Sequence, residues 1–107
     1  MSFITPVNET SLADLLKTSP LPVLVDFGAT WCGPCKMLDP FVEKMAEAWQ
    51  GKITVVKLDV DDCPFAAEQN QVMGVPTLIL FKAGKPVDRT SGFQPYEKLV
   101  ERFSQYL

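Results

Sequence analysis

Histidine is absent from all 107 residues. That absence removes Ser-His and Cys-His catalytic pairs and every zinc site that needs an imidazole. Cysteine is scarce, and three residues are too few for a disulfide scaffold. A zinc site using Cys63 with the other two would still need an Asp or Glu as fourth ligand. One Cys-x-x-Cys without a second pair argues against it, so no metal is expected. Positive charge is also short. Ten Lys and Arg against 13 Asp and Glu leave a net charge of −3, which gives no basic footprint for nucleic acid. No apolar run reaches the ~20 residues of a membrane-spanning helix, so no membrane role is expected. Met1-Ser2-Phe3-Ile4-Thr5-Pro6 lacks the basic and apolar regions of a signal peptide. The initiator Met favours the cytoplasm, although the mature chain of an exported protein would look the same.

Apolar residues make up 47% of the chain, enough for a core and too many for disorder. The length fits one domain spanning residues 1–107, and no repeat, linker or low-complexity segment interrupts it. Phe3-Ile4-Thr5 reads as a short strand ended by Pro6. Asn8 to Thr18 reads as a helix with Leu12, Leu15 and Leu16 on one face and Asn8, Thr10 or Ser11 as cap. Val23 to Phe27 is an apolar run opened by Pro22, the signature of a strand buried on both faces. A second helix is predicted from about Cys35 to Trp49, with a kink at Pro40 and a stop at Gln50-Gly51. Ile53 to Val60 is the third strand. Asp61-Asp62 before Pro64 reads as a helix start, with Phe65, Ala66, Gln69 and Val72 as its apolar face and Met73-Gly74 as its end. Pro76 to Phe81 and Pro86 to Ser91 are strands joined by a tight turn at Ala83-Gly84. Tyr96, Leu99, Val100, Phe103 and Tyr106 mark a last helix. Strands separated by helices pair in parallel, and a hairpin pairs antiparallel. The fold class is therefore α/β: a central mixed five-stranded sheet flanked by four helices.

The stretch with chemistry is Trp31-Cys32-Gly33-Pro34-Cys35-Lys36, where the buried second strand hands over to the second helix. Cys32 belongs at or just before the helix N-terminus. There, free N–H groups and the helix dipole favour a thiolate, the nucleophile of disulfide exchange. Cys32 is expected to be partly exposed. Cys35, one turn on, can bond to Cys32 or expel what Cys32 has bonded. A purely structural bond here would close so small a loop that it would constrain little of the unfolded chain. Gly33 permits a tight approach at the helix start. Pro34 has no N–H and withholds one donor from the thiolate, which favours the disulfide and makes the pair a reductant. Asp26 lies within an apolar strand, where burial raises a carboxyl pKa. With no histidine present it is the best base for Cys35, the alternative being a hydrogen-bonded structural Asp.

This motif, with Val25-Asp26-Phe27 before it and Val75-Pro76-Thr77 after it, resembles the thioredoxin family over essentially the whole chain. The resemblance implies the thioredoxin fold with strand order 1-3-2-4-5. It implies a thiol–disulfide oxidoreductase that reduces protein disulfides and works as a monomer without a bound cofactor. Its electrons would come from an NADPH-dependent flavoprotein, thioredoxin reductase. The resemblance places Lys57 beside Asp26, although an exposed strand lysine fits the sequence too. It puts Trp31 on the surface beside the nucleophile rather than in the core. Pro76 matches the family's cis-proline, and the backbone at Val75 would pair with the substrate chain. Gly92 matches a loop glycine that leaves room for substrate.

Two residues depart from the family pattern. Gly28 stands where the family usually has Trp, and either neighbours repack into the lost volume or water enters beside Asp26. Cys63 is an extra thiol, read as a bystander, with regulatory oxidation or dimerisation as the other readings. Two rival functions remain open in the sequence: an exported disulfide oxidant or isomerase, and a binding subunit that does not use its thiols.

Overall fold

A computed structural model describes residues 2–107. In chain order the elements are β1 (Thr5–Pro6), α1 (Glu9–Thr18), β2 (Val23–Gly28), α2 (Gly33–Ala48), β3 (Thr54–Asp59), α3 (Pro64–Gln69), β4 (Thr77–Lys82), β5 (Lys85–Ser91) and α4 (Tyr96–Phe103). A short 3-10 turn, Ser104–Tyr106, closes the chain and takes Tyr106 out of the last helix. The five strands lie in the order β1-β3-β2-β4-β5. β3 is parallel to β1 and β2, while β4 is antiparallel to β2 and β5. This is the mixed sheet and strand order of the thioredoxin fold.

Local chemistry accounts for most boundaries. Asn8 caps α1: its side chain accepts from the Ser11 N–H at 2.8 Å, and the Ser11 hydroxyl accepts from the Asn8 N–H at 2.9 Å. The first strand falls two residues later than Phe3. The Phe3 N–H and the Ser2 hydroxyl are held by the Glu43 carboxylate of α2, so the sheet begins only at Thr5. Pro6 is part of the strand, opposite Lys57, because an edge strand tolerates a missing N–H. α2 begins at Gly33, two residues before Cys35, since Pro34 suits a first helical turn. It runs on through Pro40. α3 starts after Cys63 rather than at Asp61-Asp62, whose N–H groups instead donate to the Asp59 carboxylate. Val72 lies beyond its end, because Gln71 turns into positive φ at 56°.

The sheet separates two apolar clusters. Leu24, Val55, Leu78 and Leu80 pack under α2 and α4 against Leu38, Val42, Met45, Leu99 and Phe103. Val25, Phe27, Val56, Leu58, Ile79 and Phe81 pack on the other face with Leu12, Cys63 and Ala66. Each fully buried Leu or Phe contributes roughly 1.5–3 kcal/mol. Strand alternation then decides what lies beneath α2. Leu24 faces α2, so Asp26 and Gly28 do too. Val55 faces α2, so Lys57 does too.

Candidate active site

Cys32 is the N-cap of α2, with extended backbone (φ −86°, ψ 108°). Its Sγ accepts the Cys35 N–H at 3.2 Å, one of the donors that a helix start leaves free. The two cysteines are joined as a disulfide, with Cα atoms 5.3 Å apart. Exposure does not set them apart, against expectation: Cys32 is 3% exposed and Cys35 6%. What distinguishes them is place. Cys32 precedes the helix, and Cys35 lies in its first turn beside Gly28 of β2. Gly33 needs none of glycine's freedom, since its φ is not positive and a Cβ there would meet nothing within 4 Å. The tight approach expected of it is not made.

Beneath α2 lies a cleft of about 360 Å³, lined by Asp26, Gly28, Cys35, Asp39 and Lys57 among others. The volume beside Gly28 is thus not filled by neighbouring side chains. A Cβ there would touch Cys35 Sγ at 3.6 Å and Asp26 Oδ1 at 4.0 Å. Asp26 sits deep in the site at 2% exposure. Burial pushes its pKa up to about 7 from an ordinary 3.8; the charge of Asp39 adds to this and the Lys57 ammonium opposes it. The cleft therefore does not keep the carboxylate well solvated. Lys57 is the register partner of Asp26 in the parallel pair, as expected, but its ion pair is with Asp39, at 3.4 Å. Asp39 lies outside the Trp31–Lys36 motif. The available signal was its spacing: it lies four residues after Cys35, on the same helix face.

Trp31 is on the surface, 68% exposed, and its indole N–H donates to Asp61 at 2.7 Å. The sequence marks Asp61 only as part of a helix start. Trp31 and Val75 line one shallow groove of about 170 Å³ with Val60, Val72, Met73 and Gly74. The Val75–Pro76 peptide bond is cis. The Pro76 carbonyl accepts the Gly92 N–H at 2.8 Å. Gly92 has φ +78°, a conformation in which a side chain would be strained. Cys63 lies apart from all of these, 4% exposed in the cluster on the other face of the sheet. Burial, with the nearby charges of Glu9, Asp62 and Asp59, pushes its thiol pKa up, against a lowering hydrogen bond from the Glu9 backbone. A thiol held protonated is a poor nucleophile, which fits the bystander reading.

The family model for thioredoxin matches residues 3–105. Curated thioredoxins of Staphylococcus aureus strains MW2, N315 and COL are each 54% identical over 84 residues, covering 78% of this chain and 81% of theirs. No helix is long and apolar enough to cross a membrane among the described residues. The Cys32–Cys35 disulfide lies at the start of α2, within the matched span. The chain belongs to the thioredoxin family, whose general partners are disulfide-bearing substrates and a thioredoxin reductase, and it is a thiol–disulfide oxidoreductase with Cys32 and Cys35 as its redox pair.

Proposed function

We propose that Cys32 attacks and Cys35 resolves, with Asp26 as the base for Cys35. The observation that carries this is positional: Cys32 Sγ caps α2, while Cys35 and Asp26 line one cleft behind it. The Cys32 thiolate attacks one sulfur of a substrate disulfide, and the other substrate sulfur leaves as a thiolate that takes a proton from water. Asp26 then takes the proton of Cys35. The Cys35 thiolate attacks Cys32 Sγ, the Cys32–substrate bond breaks, and the second substrate sulfur departs as a thiolate. Two electrons have passed to the substrate, and Cys32–Cys35 is oxidised. Lys57 holds positive charge near the base, and Gly33 and Pro34 set the poise of the pair. Pro34 gives no N–H to the thiolate, so the reducing direction is preferred.

The substrates are disulfide-containing proteins. Trp31, Val75, Pro76 and Gly92 receive them: the groove beside Trp31 takes side chains, and the backbone at Val75 pairs with an extended segment. A flavoprotein thioredoxin reductase using NADPH returns the electrons, so the chain itself needs no cofactor. The working unit is a monomer of one domain, residues 1–107, in the cytoplasm. The test is trapping. Cys35→Ser should accumulate a mixed disulfide, and mass spectrometry should find it on Cys32. A trap on Cys63, with Cys32 free, would overturn the assignment. Coupled to NADPH and thioredoxin reductase, the unaltered protein should reduce insulin.

A further inference from the structure

At the mouth of the cleft, Asp39 of α2 and Lys57 of β3 form an ion pair at 3.4 Å, their side chains 40% and 51% exposed. At its blind end lie Asp26 and Cys35, 2% and 6% exposed. Each element around Asp26 contributes to its surroundings. β3 brings Lys57 and Asp59, and α2 brings Cys35, Lys36 and Asp39. The segment after β2 brings uncharged Ala29 and Thr30, and β4 sets Leu78 opposite Asp26. Lys57 is the cation that strand register assigns to Asp26, yet its hydrogen bond goes to Asp39.

We infer that Asp39 is a positioning residue for the resolving step: it ties the Lys57 ammonium at the mouth of the cleft and so sets the pH at which Asp26 can accept the Cys35 proton. The inference rests on the reading of Asp26 as base. Two physical effects act in one direction. The Asp39 carboxylate adds negative charge to a cleft that already holds a carboxyl group. It also engages Lys57, the cation that strand register sets beside Asp26. Neutralising Asp39 removes both, so the Asp26 carboxylate is favoured and its titration moves to lower pH. The ion pair is solvent-facing, so salt screens it and the size of the effect is bounded.

The test uses Asp39→Asn, with Asp39→Glu as the conservative variant. Asp39 is partly exposed and outside the apolar clusters, so both should fold. One readout is the titration of the Asp26 carboxyl carbon by NMR in the oxidised protein. The other is the rate at which Cys35 expels thionitrobenzoate from a mixed disulfide on Cys32, formed in acid and jumped to a series of pH values. In Asp39→Asn the Asp26 midpoint should fall by roughly half a unit to one unit, as expected for loss of a nearby charge. The rising limb of the release rate should fall with it, and Asp39→Glu should restore both. An unmoved or raised midpoint in Asp39→Asn overturns the inference whatever Asp26 does in catalysis. A lowered midpoint with an unmoved rate limb overturns the base role of Asp26, and the inference falls with it.

Discussion

Asp26 is where a single side chain couples stability to chemistry. Its pKa is raised by burial from 3.8 to about 7, so the folded state favours the protonated form. The contribution of Asp26 to stability is therefore greatest below the unfolded pKa and is lost as pH rises through the folded value. The loss over that window is roughly 4 kcal/mol at about 1.4 kcal/mol per unit. Asp26→Ala should accordingly be more stable than the parent at pH 8 by a few kcal/mol. The gap should narrow steadily toward pH 4, as read from urea unfolding of the oxidised proteins. The same substitution should slow the resolving step from about pH 6 to 8, the range around its titration. Full turnover across that range would remove the base role. Cys63 is the opposite case, buried but far from the redox pair. Cys63→Ser should leave reductase turnover unchanged while costing on the order of 1 kcal/mol, because a hydroxyl enters an apolar cluster.

At the scale of elements, the site is the junction of β2 and α2. Gly28 ends the strand, and the loop from Ala29 to Trp31 crosses directly to the helix cap. Where a Trp would fill the cleft and pin this loop, Gly28 leaves about 360 Å³ beside Asp26 and Cys35. A side chain can start there without displacing backbone, since its Cβ would make only ordinary contacts from 3.6 Å outward. Gly28→Trp should increase hydrogen-exchange protection of residues 29–36. It should also shift the reduction potential, as read by redox titration. If neither loop protection nor potential changes, Gly28 is a neutral packing variant.

At the scale of the molecule, both faces of the sheet carry an apolar core, and the redox chemistry sits on only one of them. α2, Asp26 and Lys57 share one face, while Phe27 packs fully buried on the other. Phe27→Ala should therefore cost about 3–5 kcal/mol, as for other large core truncations. Any protein still folded should keep the disulfide chemistry. A lowered urea midpoint with near-normal turnover at low temperature is the expected result. Loss of turnover in the folded variant would show that the two faces are coupled.

The order of strands and helices, a polar cap for the first helix among Asn8, Thr10 and Ser11, and the place of Cys32 before a helix were legible in the sequence. They depend on local signals: apolar periodicity, capping residues and proline at a helix start. The redox pair was legible for the same reason, because its two members are neighbours on the chain. Asp26 stood out as a charge inside an apolar strand. Tertiary structure alone decided the rest. Strand order places Lys57 beside Asp26, across 31 positions of chain that no local pattern connects. The Asp39–Lys57 and Trp31–Asp61 contacts join residues 18 and 30 positions apart in the chain, and surface side chains carry no signal of their partners. The first strand slipped because Glu43 captures Phe3 and Ser2 from a distant helix. Cys32 is buried against expectation because exposure depends on what surrounds a residue in space, whereas its position before the helix depends only on the chain.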